Sequence, residues 1–124
     1  MTASIRAIEL ATLAAQAASD KLGTQIVAID VSEKFPLADI FLIVSAANDR
    51  QVKSIVDAVE EKLASIGVKS VHEEGVSEGR WALLDFNDVV VHVQHIEERV
   101  FYDLERLWRD CPTIELDLVQ ADER

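Results

Sequence analysis

Reactive side chains are sparse in this chain, so the places where they gather decide which chemistry is open to it. Asp85 and Asp88 are three residues apart, and a carboxylate pair on one face can hold a metal for phosphoryl or nucleotidyl transfer. Asn87-Asp88 reads as a tight turn, however, so the two acids do not converge on one strand face. His92 and His95 are three apart on a predicted strand and face opposite sides, while His72 lies in an acidic loop. Neither arrangement has metal-ligand spacing. Cys111 precedes Pro112 with no histidine nearby in sequence, and such a lone thiol serves as a small apolar residue. Ser45-Ala46-Ala47-Asn48 joins a strand to a helix start, where anions can bind, but it lacks the glycine-rich loop of phosphate sites. Catalysis has no assembled constellation, and no metal or cofactor is expected.

The composition bounds the domain count and the class of partner. The chain has 124 residues, 49% of them apolar, which suits one domain with a real core. Its 23 acids against 12 Lys and Arg give a formal charge of −11. That excess disfavours a direct grip on nucleic acid, which needs clustered cations, and favours a basic protein partner. No apolar run approaches the ~20 residues of a membrane span. A signal-like N-terminus is not evident, and the single cysteine forms no internal disulfide, so a reducing cytoplasmic setting is expected.

The elements that must position these residues follow from periodicity. Residues 3–22 contain seven alanines with Ile5, Ile8, Leu13 and Leu22, which predicts a first helix that Gly23 stops. Ile26–Val31 and Ile40–Val44 read as strands. Residues 47–67 predict a second helix, capped by Asn48 with Gln51 three residues on. Its core face is Val52, Ile55, Val56, Val59, Leu63 and Ile66. Val68–Val71 is expected to be a short strand and 72–79 a flexible loop.

Trp81–Phe86 and Val89–Gln94 predict a hairpin across Asn87-Asp88. Its register would pair Trp81 with Gln94, Leu83 with His92 and Asp85 with Val90. One face is then wholly apolar: Ala82, Leu84, Phe86, Val89, Val91 and Val93. The other mixes Trp81, Leu83, Asp85, Val90, His92 and Gln94, an aromatic anchor among orienting polar groups, as protein-binding patches have. A third helix after His95 should bury Ile96, Val100, Phe101, Leu104, Leu107 and Trp108, which fall within roughly 140° of its surface. Arg99, Tyr102 and Arg106 would then be exposed opposite them.

The blocks Ala38-Asp39-Ile40-Phe41, Asn48-Asp49-Arg50-Gln51-Val52-Lys53, Trp81 through Asp88-Val89-Val90-Val91-His92-Val93, and Glu97-Glu98-Arg99 to Tyr102-Asp103-Leu104-Glu105 occur in that order. Together they resemble the ribosomal silencing factor (Iojap, RsfS) family along nearly the whole chain to Pro112. The resemblance implies a single α/β domain over residues 1–112, with a mixed five-stranded sheet flanked by helices and a nucleotidyltransferase-like core without catalytic acids. Residues 113–124 read as a loose acidic tail. It further implies docking on the large ribosomal subunit through ribosomal protein uL-fourteen, obstruction of subunit joining, and repression of translation when nutrients are short. Homodimers are also implied. The docking residues carried over would be Trp81, Leu83, Asp85, Asp88, Val90, His92, Arg99 and Tyr102, five of which lie on the mixed hairpin face. The competing readings are a nucleotidyltransferase-related enzyme using Asp85 or Asp88 with a metal, and a structural homodimerisation module.

Overall fold

The computed structural model describes residues 2–118. Its first helix, α1, runs Ile5–Asp20. The Ser4 hydroxyl caps it by accepting from the Ala7 N–H at 3.0 Å. Buried Ala7, Ala11, Ala14, Ala15 and Ala18 give it a smooth face that approaches the sheet closely. The helix closes through Leu22, at φ 65°, with the Gly23 N–H donating to the Ala18 carbonyl at 2.9 Å. Gly23 is required for space rather than for a left-handed φ: a Cβ there would lie 2.7 Å from Val44 Cγ1 and 2.9 Å from the Ala18 oxygen.

The second helix, α2, spans Asp49–Ala64 and buries Val52, Ile55, Val56, Val59 and Leu63, while Ile66 lies beyond its end and is exposed. Asn48 Oδ1 accepts from the Gln51 N–H at 2.8 Å. Gln51 Oε1 accepts in return from Ala47, and its Nε2 donates to the Lys21 and Leu22 carbonyls at 3.1 and 3.0 Å. One side chain thus caps the start of α2 and takes up carbonyls at the end of α1 that the helix itself cannot satisfy.

Six strands follow the order β3-β4-β5-β2-β1-β6. They are β1 (Thr24–Asp30), β2 (Ile40–Ala46), β3 (His72–Glu74), β4 (Trp81–Asp85), β5 (Val89–His95) and β6 (Thr113–Ile114). The β2–β5 pair is parallel and every other pair antiparallel, so the sheet is mixed. The hairpin register is as expected, Trp81 to Gln94 through Asp85 to Val90. At its turn only Asn87 has positive φ, at 72°, and Asp85 Oδ1 accepts from the Asn87 N–H at 2.8 Å.

Helices α1 and α2 cover one face, where Ile40, Leu42, Val44, Ala82, Leu84, Phe86, Val89, Val91 and Val93 form the main core. The opposite face holds a smaller core of Ile29, Val31, Ala38, Phe41, Ile43, Val90 and Cys111, with Phe35, Leu83, Leu104 and Trp108 packed on it.

Besides Ile66, four expectations change. The sheet has six strands, not five. Val68–Val71 is not a strand; the pairing segment is His72–Glu74, inside the expected loop. Thr113 and Ile114, read as tail, pair with Ile29 and Ala28. Ile114, Leu116 and Leu118 pack on the main core, an alternation too short to stand out among acids; residues 119–124 of the expected tail lie outside the described residues. The third helix is broken into α3 (Ile96–Phe101) and α4 (Leu104–Leu107), because Asp103 caps a new helix by accepting from the Arg106 N–H at 3.2 Å. Gly23→Ala is expected to cost about 1–3 kcal/mol through overpacking, read as a lower urea midpoint with unchanged slope.

Candidate functional site

The mixed hairpin face is covered unevenly, and the topology explains why. Strand β5 is interior, flanked by β2 and β4, and its outward residues Val90, His92 and Gln94 are buried beneath the second layer. Strand β4 has only the three-residue β3 beyond it, so Trp81, Leu83 and Asp85 remain half-buried. Gly75 fixes the approach of this margin: at φ 73°, with its Cβ position 2.1 Å from the Trp81 carbonyl oxygen, it admits no side chain.

Trp81 stands at the centre of a run of rings. Its indole N–H donates to His92 Nδ1 at 3.1 Å. Its ring is tilted against Tyr102 with centroids 4.9 Å apart, and Tyr102 meets Phe101 edge-on at 4.8 Å. On the inner side His92 packs edge-on against Phe41 at 5.2 Å, and Phe41 against Trp108 at 5.1 Å. The rings thus pass from the second core to the surface, where Tyr102 is 44% and Phe101 78% exposed.

An indole N–H only donates, so the Nδ1 it meets is the unprotonated nitrogen and His92 carries its proton on Nε2. Burial pushes the His92 pKa down from 6.5 to about 4, keeping the ring neutral near pH 7. Neither His92 Nε2 nor the amide of fully buried Gln94 meets a protein partner among the described residues.

Arg99 lies opposite to the expected side. It is 7% exposed, whereas Val100, Phe101 and Leu107 of the expected buried stripe are more than 70% exposed and Ile96 is 43% exposed. Its Nε and Nη2 donate to Glu105 Oε1 at 3.1 and 2.9 Å, and its Nη1 to Ser45 Oγ at 3.0 Å. Ser45 in turn donates to Gln25 Oε1 at 2.8 Å, from a residue held at φ 50° where β1 is irregular. A buried guanidinium must be paired, and this network turns the α3 segment so that Arg99 points inward and its apolar neighbours outward.

Of the expected docking residues, Trp81, Leu83, Asp85, Asp88 and Tyr102 therefore reach the surface. Val90, His92 and Arg99, at 7%, 6% and 7% exposure, lie beneath it as its support. The exposed Val100, Phe101 and Leu107 were missed. The Asp103 cap that breaks the helix was the available signal; the burial of Arg99 had none.

Strands β2 and β5 are parallel, and their carboxyl ends lead into α2 and α3, the crevice where open α/β sheets hold anionic ligands. Here it is filled by Arg80, whose Nη2 lies 3.0 Å from both Glu97 Oε1 and Glu98 Oε1 and whose Nη1 lies 3.9 Å from Asp49 Oδ1. The Arg80 hydrogen bond holds the Glu97 carboxyl below its ordinary range. Three carboxylates around one cation make this crevice unfavourable for a phosphate. Asp85 and Asp88 flank the hairpin turn, and among the described residues no group of three or more His, Cys, Asp or Glu could hold a metal. No helix among them is long and apolar enough to cross a membrane.

Fold and site together define a small α/β domain whose crevice at the carboxyl ends of β2 and β5 holds its own side chains and whose surface carries the outer end of an aromatic run. A family model described as "Ribosomal silencing factor during starvation" matches residues 4–124. The chain is 40% identical over 109 residues to "Ribosomal silencing factor RsfS" of Halalkalibacterium halodurans, covering 88% of this chain and 93% of the relative. With the protein of that name from Bacillus subtilis it shares 41% identity over 105 residues, 85% of this chain and 89% of the relative. A crystal structure of a Chromobacterium violaceum protein superposes with a TM-score of 0.79 at 34% identity, covering 91% of this chain and 93% of that one. The chain belongs to the ribosomal silencing factor family.

Unfolded, His92 takes up a proton near pH 6.5; folded, it resists to about 4. Within that window the unfolded chain binds more protons, so this contribution to stability is complete above pH 6.5 and declines as pH falls toward 4. Denaturant titrations should show the protein losing about 3 kcal/mol more across that window than a His92→Asn variant. Parallel pH profiles for the two would remove His92 as the cause.

Proposed function

We propose that the protein silences translation by occupying the joining face of the large ribosomal subunit, docked through ribosomal protein uL-fourteen, so that the small subunit is sterically excluded under nutrient limitation. The family membership supports the ribosomal role. The observation that carries the docking site is the Trp81–Tyr102–Phe101 run, exposed at its outer end and fixed at its inner end. Aromatic anchors of this kind supply most of the binding energy at protein interfaces.

In this reading Trp81 and Tyr102 are the anchors, Leu83 adds apolar contact, and Asp85 and Asp88 fix orientation against a basic partner. Val90, His92 and Arg99 act from below. Charge supports a protein target: residues 1–50, 51–100 and 101–124 carry −2, −5 and −4, so the acidic excess lies in the part of the sequence that contains the hairpin and α3. Ribosomal RNA would repel this surface, while a basic ribosomal protein would attract it. The protein then works in the cytoplasm without a cofactor. A second copy of the chain is the alternative occupant of the same face.

A Trp81→Ala, Tyr102→Ala double variant that still melts cooperatively should bind purified large subunits on the order of a hundredfold more weakly. Undiminished co-sedimentation would reject these anchors. Adding the protein to separated subunits should also reduce the joined-ribosome peak in a sucrose gradient, and an unchanged peak would count against occlusion.

A further inference from the structure

We propose that His92 is a positioning residue for docking: its Nδ1 accepts the Trp81 indole N–H and thereby presents Trp81, and Tyr102 stacked on it, to the partner in a single arrangement. The inference rests on the docking role of Trp81 given above. It assigns His92 no contact with the partner.

The requirement comes from the indole N–H. A tryptophan buried at an interface needs an acceptor for this group, since an unpaired donor there costs affinity. Here the acceptor is internal, at 3.1 Å, on the neighbouring strand and one diagonal step from Trp81 across the β4–β5 ladder. His92 is 6% exposed, so it cannot be the surface of contact. It is also held: Phe41 meets it edge-on at 5.2 Å, and Phe41 is packed between Phe35 at 5.1 Å and Trp108 at 5.1 Å. The ring centroids of Trp81 and His92 are 6.0 Å apart, and those of Trp81 and Tyr102 are 4.9 Å apart. Orientation is therefore handed from a rigid core, through one hydrogen bond, to two surface rings.

Such an arrangement lowers the ordering cost that a mobile anchor would incur on docking. It also predicts which replacements are tolerated. Asparagine can place a carbonyl oxygen where Nδ1 stands, whereas leucine fills much of the space and accepts nothing.

The chain has two tryptophans, so a Trp108→Phe parent leaves Trp81 as its only indole. In that parent His92→Leu should bind large subunits about tenfold more weakly, with Trp81 emission shifted to the red and more open to acrylamide. His92→Asn should return both readouts to within about threefold of the parent. Parental binding by the leucine variant, or an asparagine variant as weak as the leucine one, would overturn the inference.

Nitrogen-15 spectra of the unaltered protein supply a reading that does not depend on the variants folding. They should show His92 Nδ1 unprotonated and coupled to a slowly exchanging Trp81 indole proton. A protonated Nδ1, or a rapidly exchanging indole proton, would also overturn it. If Trp81→Ala itself binds as the parent does, the docking reading fails while the spectra still report the Trp81–His92 bond.

Discussion

The parallel pairing of β2 with β5 is the constraint on which the rest of the molecule depends. Both strands are interior, and nearly every residue in them is buried, so each of their faces needs a cover. Helices α1 and α2 supply one. The other comes from irregular pieces: the Phe35 loop, the α3–α4 segment and the stretch to Cys111. This second cover is assembled over β1, β2 and β5 and reaches β4 only at Leu83 and through the Trp81–Tyr102 contact. The surface run headed by Trp81 exists at that boundary, and its inner end is bonded to His92, which packs on Phe41 of the smaller core beneath that cover.

Arg99 holds the cover to the sheet. Removing a guanidinium from water is costly, and the cost is offset here by Glu105 on α4 and Ser45 on β2. This geometry sets which way the α3 segment turns, so it determines that Phe101 and Tyr102 face solvent. A single buried cation thus decides the composition of a surface several residues away. The Arg80 cluster acts differently. It closes a crevice that the topology creates, and it surrounds one cation with three acids on adjoining helix starts.

The parts of this arrangement that sequence reveals are those specified locally. The hairpin register follows from a two-residue turn, and the apolar face follows from alternation. The α2 boundary follows from Asn48 and Gln51, side chains three residues apart. What sequence hides is specified at a distance. Arg99 meets Ser45 from 54 positions away and Glu105 from six, a separation that does not place residues together on one helix. A helical periodicity drawn through 96–108 therefore assigns the wrong residues to the interior. The unevenness of the mixed hairpin face is hidden for a related reason: alternation divides a strand into two faces, but only sheet order says which strand is interior. β6 escapes because two ladder residues leave too little pattern among acids.

The two margins of the sheet have a consequence for how copies of this protein meet. One ends in β3, only three residues long and carrying Glu73 and Glu74; the other ends in two-residue β6, followed by exposed Glu115 and Asp117. Short, like-charged margins are poor templates for strand addition, since an incoming copy would bring the same carboxylates to the same place. Open-ended growth of the sheet from chain to chain is disfavoured at both ends. Any contact between copies is left to side-chain faces rather than to the backbone of the sheet margins.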